Sequence, residues 1–383
     1  MREPRSLLAL GYSVRHIVSS GCRAGYEMYA ADAFGDVDTR RYARAYVPLD
    51  PLQLHAGLST LAAWFHLVDG VIIGSGFETA DFSVLDELAR EKIVGNAPEK
   101  MREIANKAWL AARLDELGVS HPFTLTGEEL TTRIERTKQI PFRYPVVAKP
   151  AYGGGGTANF YCRTEQELVR WARKLPDFLF QDYVQGHHAS VSVLLTRHEA
   201  RSVSVNEQLL GLRALGAPGP FVYCGNISPL LTKFADRLRE LAEEVTHILG
   251  LVGSNGVDFV IAEDGPVVIE VNPRLQGSLD TVELSTGLNL VDVHVKAVRG
   301  ELPELLAVNH YAAKAIVFAE CAGVVKTDLE SAAGGIVDIP AKGRRVRPGE
   351  PIATAMGVGA TRARACAEAM ENVARIKASV QYH

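Results

Sequence analysis

Cysteine is scarce in this sequence and shows no pairing pattern. The 383 residues include five cysteines, an odd number, and no C-x-x-C motif. A disulfide framework or a cysteine-rich zinc site would need closely spaced or paired cysteines. We therefore expect reduced thiols and a cytoplasmic protein, with the five cysteines scattered along the chain at Cys22, Cys162, Cys224, Cys321 and Cys366.

Long hydrophobic runs and an excess of positive charge are also missing. No run reaches the roughly 18 apolar residues that suggest a membrane-spanning helix, and the short apolar segment near the start is predicted to be a strand rather than a signal peptide. The formal net charge of −4 leaves no surplus of positive charge to neutralise phosphates of nucleic acid. We expect neither a membrane nor a nucleic-acid partner.

The glycine fingerprint of dinucleotide-binding proteins is absent as well. Strand, turn and helix patterns alternate through the first hundred residues, which predicts βαβ units and a parallel sheet. Gly11 opens a turn after the first strand, and Asp32 ends the second, but no G-x-G-x-x-G motif joins them, which disfavours NAD. Ser13 and Arg15 lie where such sheets bind ligands, so they are either substrate contacts or a helix cap and a solvated residue.

A lysine before a glycine-rich loop is the first positive signal. Lys149 ends an apolar strand, and Gly153–Gly156 follows before the chain returns as a strand. No G-K-[ST] follows, so this is not a Walker A loop, but its amides can close over phosphate. Phosphate contact is favoured over a plain turn. Upstream, 98–117 has a helical period and carries Lys107, which by itself would be read as a solvated surface lysine.

The stretch VVIEVNPR, residues 267–274, places two oxygen ligands on one strand face. Glu270 and Asn272 are two residues apart and project side by side, a donor set that suits a divalent cation. Asp258 precedes them in a predicted hairpin. A three-residue loop, Glu263–Gly265, would put Asp258 opposite Glu270, whereas a two-residue loop, Asp264–Gly265, would turn it to the other face. A shared metal site predicts the longer loop, with Gly265 left-handed.

The order of these motifs resembles that of ATP-grasp enzymes. N-K-A-W-L-A-A-R-L-D-E-L-G-V, K-P-A-Y-G-G-G-G, Asp258 and E-V-N-P-R occur in the family's order, and LQGSLDTVELSTGLNLVDVHVKAVRGELP resembles the biotin carboxylase and carboxylate–amine ligase branch. The resemblance covers nearly the whole chain. It implies a mixed α/β (α+β) fold with a Rossmann-like domain at 1–96, two ATP-grasp subdomains at 97–190 and 191–305, and a small β-rich domain at 306–383.

The resemblance also implies a nucleotide site and a metal site. Lys107 and Lys149 would hold the phosphates of ATP under a lid made of Gly153, Gly154, Gly155 and Gly156. The adenine would lie against a hinge made of Gln181, Asp182, Tyr183 and Val184. Two Mg²⁺, with Mn²⁺ as an alternative, would be held by Asp258, Glu270 and Asn272. The catalytic residues would be Lys149 and Arg274, the latter stabilising an acyl phosphate.

Two departures from the family pattern affect these expectations. Ala189 stands where many relatives have an acidic residue that contacts the ribose, and Asp258 stands where many have glutamate. Two further segments are left open: Gly225–Pro229 is either a substrate loop or an ordinary connection, and Arg344, Arg345 and Arg347 are either solvated or contact an anion. His187 and His188 are adjacent on a strand and point to opposite faces, so we do not expect them to bind one metal ion together.

The function that the resemblance implies is an ADP-forming, ATP-dependent ligase that joins a carboxylate to an amine through an acyl phosphate. Its setting would be the biosynthesis of amino acids or of C1-carrier cofactors. Its partners would be the two small-molecule substrates. A homodimer is one possible assembly. The alternatives are a carboxylase that uses bicarbonate, a kinase, and a non-catalytic nucleotide-binding subunit.

Overall fold

The computed structural model describes residues 4–304, 308, 310–329 and 335–383. Four sheets organise it, and the predicted mixed α/β architecture is confirmed. No helix in these ranges is both long and apolar enough to span a bilayer. The domain boundaries proposed from the sequence stay predictions, and the one between 305 and 306 falls outside the described residues.

The N-terminal sheet is parallel and has the strand order β3-β2-β1-β4. The apolar runs of the sequence predict strands at 6–10, 26–31, 70–73 and 92–94. The first three are found as β1, β2 and β4, whereas 92–94 contributes a single bridge from Ile93 to Val71, and β3 was not predicted. The sequence also predicts helices at 52–65 and 82–90, and in the structure each of these segments contains a 3-10 helix, Leu54–Leu61 and Phe82–Val84, before its α-helix. The elements are β1 Ser6–Leu10, α1 Arg15–Arg23, β2 Glu27–Asp32, α2 Val37–Tyr42, β3 Ala45–Pro48, α3 Ala62–Leu67, β4 Gly70–Ile73 and α4 Glu87–Glu91.

The single helix predicted over 98–117 is two helices. Asn106 has an extended backbone, φ −76° and ψ 103°, and its side chain accepts hydrogen bonds from the amides of Ala108 and Trp109. An asparagine in this position starts a new helix by capping its free amides. The elements that follow are α5 Pro98–Ala105, α6 Lys107–Glu116, β5 Thr124–Thr126, α7 Gly127–Thr137, β6 Val146–Pro150, β7 Phe160–Cys162, α8 Glu165–Lys174 and β8 Phe178–Asp182.

Strands β5 to β8 form a second, antiparallel sheet in the order β5-β8-β6-β7. Its core is made of apolar side chains from the sheet and from α7 and α8, including Leu130, Val146 and Phe180. Because β6 and β7 are paired neighbours, the segment between them must leave the sheet and return. The glycine loop therefore projects from one end of this sheet.

The third sheet has eight strands in the order β13-β12-β9-β10-β11-β14-β18-β16. Gly225–Pro229, predicted to be a loop, lies largely inside the buried strand β11, because its small and polar side chains bond to neighbouring strands and to Thr281. The elements are β9 His187–Leu195, β10 Ala200–Leu210, β11 Tyr223–Ser228, α9 Ala235–Ile248, β12 Gly253–Ala262, β13 Gly265–Asn272, α10 Leu279–Thr286 and α11 Leu290–Val298.

The C-terminal strands complete the large sheet and add a small one. β14 pairs with β11, so the large sheet continues into the C-terminal part of the chain. Alanines of α12 pack on it beside Ile227 and Ala313. The small sheet has the order β17-β15-β19. The elements are β14 Tyr311–Phe318, β15 Gly323–Val325, β16 Ile336–Val337, β17 Arg345–Val346, β18 Pro351–Gly359, α12 Arg362–Ala378 and β19 Val380–Tyr382.

Candidate active site

The β12–β13 hairpin brings Asp258 opposite Glu270, as a shared metal site requires. The turn and the register that produce this pairing differ from the prediction. The turn is the two residues Glu263 and Asp264, with Ala262 paired to Gly265, whose φ is +136°. A bulge at Ile269 then shifts the register by one residue, between Phe259–Val268 and Asp258–Glu270. The predicted three-residue loop is therefore wrong, but the bulge produces the facing pair that this loop was meant to explain.

The oxygen atoms of this hairpin form one polar face. Asp258 accepts hydrogen bonds from Asn272 Nδ2 at 3.1 Å and from Gln208 Nε2 at 2.9 Å. Burial, and next the neighbouring charge of Glu270, raise the pKa of Asp258 to about 7. Within the described ranges, no three His, Cys, Asp or Glu side chains group as a metal site.

The oxygen atoms of Asp258, Glu270 and Asn272 suit Mg²⁺ better than a metal ion whose ligands all come from the protein. Two carboxylates and a carboxamide are oxygen ligands, and Mg²⁺ keeps positions for water and for substrate phosphate. The crowding of Asp258 and Glu270 is what a divalent cation would relieve. Asp258, Glu270 and Asn272 therefore can hold the metal that the sequence predicts, and their roles stay a prediction.

Lys107 faces this polar face and is not a solvated surface lysine. It is the first residue of α6 and is only 6% exposed. Its Nζ lies 3.2 Å from Glu270 Oε1 and donates to the carbonyl of Gly153 at 2.6 Å. Lys107 directly follows the break at Asn106, and its amide also donates to the carbonyl of Ala151 at 3.0 Å, so its backbone and its side chain both bond to the segment that leads into the glycine loop.

Lys149 lies in the same place, at the end of β6. The side chain is buried, 4% exposed. Burial lowers the pKa of Lys149 to about 8, with Glu270 acting against that shift and Lys107 adding to it. Two lysines and two carboxylates thus share one poorly solvated site. Such a site can neutralise the oxygens of a polyphosphate.

The glycine loop closes over this site and is attached to the large sheet. Gly155 accepts a hydrogen bond from the amide of Tyr223 at 3.0 Å. Gly156 has a φ of +69°, and a Cβ there would meet the carbonyl oxygen of Phe221 at 2.0 Å. A Cβ on Gly154 would meet no atom nearer than Arg274 Nη2, at 3.9 Å. The loop therefore crosses from one sheet to the other directly above Arg274.

Gly156→Ala is expected to detach the loop, because the added methyl group meets a backbone carbonyl and the left-handed conformation itself costs about 1–2 kcal/mol. Gly154→Ala, in open space, is the matched control. We expect limited proteolysis within 151–157 to be faster in Gly156→Ala than in the control, and the temperature of unfolding to be lower. Equal cleavage rates in the two variants would contradict the contact with Phe221.

Arg274 is held by an acidic residue that the sequence analysis missed. Its Nε donates to Glu78 Oε1 at 2.5 Å, and its Nη2 donates to Asn272 Oδ1 at 3.2 Å. Glu78 also accepts from the amide of Gly76 at 2.6 Å. Burial would raise the pKa of Glu78, but the Arg274 charge and these hydrogen bonds lower it on balance. Glu78 follows β4 at the carboxyl edge of the parallel sheet, where ligand-site residues are expected.

Two residues of the predicted adenine hinge belong to strand β8, and the other two lie after it. Gln181 donates to Thr124 Oγ1 at 2.7 Å, and Asp182 accepts from the amide of Arg143 at 3.4 Å. Both belong to β8, whereas Tyr183 and Val184 come after the strand ends. Tyr183 packs edge-on against Tyr161, with ring centroids 5.4 Å apart. Hydrogen bonds of the Gln181 and Asp182 side chains therefore hold the end of β8 in place. Tyr183 and Val184 are the two residues of the predicted hinge that lie beyond the strand.

Ala189 does not lie on the site face. It is fully buried in the cluster of Val191 and Phe259. Ser190 is paired with Asp258 in the sheet, so Ser190 is the residue that shares the Asp258 face. An acidic side chain at position 189 would be buried in the core. We therefore do not expect residue 189 to contact a ribose.

The arginines left open by the sequence analysis have different environments. Arg15 is neither solvated nor free, because its guanidinium bonds to Asp280 at 2.6 and 2.8 Å and to Asp338 at 2.8 Å. Arg344 stacks over the ring of Phe34 at 5.6 Å. Arg345, in β17, and Arg347 are exposed, which agrees with the solvated alternative.

Residues 104–278 match the family model described as an ATP-grasp domain. This chain carries an ATP-grasp domain. The matched segment includes both lysines, the glycine loop and the β12–β13 hairpin, so the predicted resemblance is confirmed.

Curated relatives extend the match of the ATP-grasp chain. An uncharacterised protein of Methanocaldococcus jannaschii is 26% identical over 369 residues, which cover 91% of this chain and 86% of that protein. The large chain of carbamoyl phosphate synthase from Pyrococcus furiosus is 27% identical over 244 residues. That alignment covers 61% of this chain but only 22% of the synthase chain.

Solved structures share the fold over the whole chain. The biotin carboxylase domain of 2-oxoglutarate carboxylase from Hydrogenobacter thermophilus, a dimer solved with MgADP and bicarbonate, has a TM-score of 0.75 at 18% identity, covering 100% of this chain and 91% of that one. L-amino acid ligase from Bacillus licheniformis has a TM-score of 0.68 at 17% identity, covering 100% of both chains. N5-carboxyaminoimidazole ribonucleotide synthetase from Thermotoga maritima has 0.69 at 19%, covering 98% and 99%.

Proposed function

We propose that this ATP-grasp chain is an ADP-forming ligase that uses ATP and Mg²⁺ to join a carboxylate to an amine. The observation that carries the proposal is the convergence of three cations, Lys107, Lys149 and Arg274, on the Asp258–Glu270–Asn272 face, with the glycine loop above them. Positioning and charge neutralisation are what phosphoryl transfer requires of a protein. The site needs no nucleophilic side chain.

In this proposal each residue has a separate task. Lys107 and Lys149 bind phosphate oxygens, and Asp258, Glu270 and Asn272 hold Mg²⁺. When bound, the metal neutralises phosphate charge. Arg274, oriented by Glu78, donates to the transferred phosphoryl group and to the acyl phosphate. The glycine loop excludes water, so that the acyl phosphate meets an amine before it hydrolyses.

The proposed reaction has two steps. A carboxylate oxygen of the first substrate attacks the γ-phosphorus of ATP, the bond to the ADP oxygen breaks, and an acyl phosphate forms. The neutral nitrogen of the amine then attacks the acyl carbon, phosphate leaves, and the nitrogen loses a proton. The products are an amide, ADP and phosphate.

Two finer points are part of the proposal. The shared fold with L-amino acid ligase supports a role in amino-acid metabolism, with biosynthesis of C1-carrier cofactors as the alternative setting. The dimer named for the 2-oxoglutarate carboxylase domain supports a homodimer as the assembly.

The decisive experiment crosses pools of carboxylates with pools of amines and measures ADP release, followed by mass spectrometry of the products. The proposal predicts ADP release that requires both pools and a product with the mass of an amide. ADP release with bicarbonate and no amine would indicate a carboxylase instead. A stable phosphorylated product without an amide would indicate a kinase, and ATP binding without turnover in any pool would overturn the ligase.

Lys149→Ala should weaken ATP binding roughly ten- to a hundred-fold, because it removes a charge-assisted hydrogen bond to phosphate. Lys138→Ala, at an exposed position after α7, is the matched control. Calorimetric titration with ATP and Mg²⁺ measures both. Unchanged affinity in Lys149→Ala would remove this lysine from the phosphate site.

A further inference from the structure

A chain of hydrogen-bonded hydroxyl and amide side chains crosses one face of the large sheet and ends at Gln276. Its members lie on β9, β10 and β11 and in the segment 276–281, and all are buried except the partly exposed Tyr223 at the far end. In order they are Tyr223, Asn226, Thr281, Ser228, Asn206, Ser192 and Gln276. Buried donors and acceptors must match one another, so the direction of each hydrogen bond can be followed along the chain.

One backbone carbonyl fixes the direction of these hydrogen bonds. The carbonyl oxygen of Ser278 can only accept, so the Thr281 hydroxyl donates to it, at 2.9 Å. The Thr281 oxygen in turn accepts from Asn226 Nδ2. This turns Asn226 Oδ1 toward Tyr223, whose hydroxyl donates to it at 3.0 Å. The orientation of the Asn226 amide is therefore determined by its partners.

The same direction continues to Gln276. Ser228 accepts from Asn226 Nδ2 at 3.1 Å and donates to Asn206 Oδ1 at 2.6 Å. Asn206 Nδ2 donates to the Ser192 oxygen at 3.3 Å, and the Ser192 hydroxyl donates to Gln276 Oε1 at 3.1 Å. Because Oε1 accepts this hydrogen bond, the NH₂ group of Gln276 points away from the chain of hydrogen bonds. Ser192 thus fixes which end of the Gln276 amide is free.

The NH₂ group of Gln276 is a donor without a partner on a nearly buried side chain. Gln276 is only 8% exposed, and its hydrogen bonds within the described ranges are all made by Oε1. Among the described side chains, only Thr39 Oγ1 is both fully buried and without a hydrogen-bond partner, so Gln276 Nε2 keeps contact with solvent. An amide donor that the fold leaves unpaired, and that solvent reaches, is available to a ligand.

Gln276 lies on the same sheet face as the proposed metal ligands. A Cβ on Gly256 would lie 1.7 Å from Gln276 Nε2, so the amide rests directly on the backbone of β12. Gly256 and Asp258 are two residues apart on this strand and share one face. Gly256 is also paired with Asn272 across the hairpin. The free NH₂ group therefore lies next to Asp258 and Asn272.

The order along β9 places Gln276 beyond the metal ligands as seen from the predicted adenine hinge. β9 begins soon after the hinge. Its Ser190 pairs with Asp258. Its Ser192, further from the hinge, pairs with Gly256, on which Gln276 rests. A nucleotide that runs from the hinge to the metal ligands ends with its last phosphate beside Gln276, and the group that attacks this phosphate approaches opposite ADP, from the Gln276 side.

We propose that Ser192 is a positioning residue for the carboxylate substrate, because it holds the Gln276 amide so that Nε2 donates to the carboxylate that attacks ATP. One carboxylate oxygen accepts from Nε2 while the other attacks phosphorus. An ionised carboxylate only accepts hydrogen bonds, which matches a free NH₂ group, whereas an ammonium group only donates and finds no acceptor there. This inference rests on the proposed ligase function, but its test measures binding rather than turnover.

The test measures acetate binding to the full chain, saturated with ADP and Mg²⁺, by ligand-observed NMR. Gln276→Met keeps the length of the side chain and removes the donor, so it should bind acetate about three- to ten-fold more weakly than wild type. Ser192→Ala should lose affinity in the same direction. Ser254→Ala removes a hydroxyl from a buried serine of β12 outside the chain of hydrogen bonds and should bind as wild type does. Equal acetate affinity in Ser192→Ala and Ser254→Ala would overturn the proposal.

The double variant Ser192→Ala, Gln276→Met separates positioning from general destabilisation. If Ser192 acts through Gln276, its loss adds nothing once the NH₂ group is absent, and the double variant binds acetate as weakly as Gln276→Met alone. Additive losses would contradict the positioning role. Ser192→Thr keeps the hydroxyl and should bind acetate as wild type does, and far-ultraviolet circular dichroism shows that each variant is folded.

Methylammonium is the probe of opposite polarity and should give no binding that depends on Gln276 or Ser192. Such binding would overturn the proposal by assigning this position to the amine. Ser192-dependent acetate binding without turnover in the ligase assay would refute the reaction and leave the carboxylate position standing. Amide formation by wild type, together with equal acetate affinity in Ser192→Ala and its control, would refute the positioning role alone.

Discussion

Glu270→Gln is expected to reduce the rate of ADP release by at least about 100-fold, which is the usual effect of losing a group that stabilises the charge of a transition state. The substitution keeps the size of the side chain and removes the charge that faces Asp258 and Lys107. Loss of that charge weakens both the metal site and the position of Lys107. ADP release over a range of Mg²⁺ concentrations measures the effect, and excess Mg²⁺ should restore only part of it.

Glu263→Gln is the matched control for this prediction. It makes the same change on the same hairpin, at an exposed residue of the turn. We expect its turnover to equal that of wild type. If Glu270→Gln and Glu263→Gln turn over equally well, the hairpin does not hold the metal.

Arg274→Ala is expected to lower kcat by about 1,000-fold or more, the effect of removing an arginine that stabilises a transferring phosphoryl group. KM for ATP should change far less, because the two lysines bind the phosphates in the ground state. Steady-state kinetics with the substrates found in the pooled assay separate the two constants. A large rise in KM with an unchanged kcat would instead make Arg274 a ground-state binding residue.

The single variant leaves Glu78 buried without its partner, which can disturb folding by itself. The double variant Glu78→Gln, Arg274→Ala removes the unpaired charge and should have a higher temperature of unfolding than Arg274→Ala. Its kcat should stay as low as that of the single variant. Recovery of kcat in the double variant would mean that stability, rather than phosphoryl transfer, explains the loss.

Local patterns predicted much of the fold. Apolar runs between turn residues predict a strand at 70–73 and an antiparallel pair at 190–196 and 202–208, which are found as β4 and as β9 with β10. A helical period predicts a helix at 361–376, which is found as α12. The break at Asn106 could not be predicted by period alone, because both helices continue one apolar stripe. Asn106 is recognisable in the sequence as a helix-capping residue. The break also involves a hydrogen bond from the amide of Lys107 to the carbonyl of Ala151, which is distant in sequence and leaves no local pattern.

The sequence proposed residues for the candidate site but not the residues that support them. Alternation on a strand places Glu270 beside Asn272, but the facing pair depends on a bulge at Ile269, which no turn motif encodes. Glu78 is separated from the hairpin by about 190 residues of sequence and meets the site only through the parallel sheet. Local pattern carries no information on such a contact. The carboxyl-edge rule, applied to every loop of that sheet, would have selected it.

The most direct test of the central claim is a crystal structure of the chain grown with Mn²⁺ and ADP, with an anomalous difference map for manganese. The account predicts manganese bound by Asp258, Glu270 and Asn272, with the phosphates of ADP on Lys107 and Lys149 beneath the glycine loop. Manganese or ADP bound elsewhere, with this face empty, would contradict it.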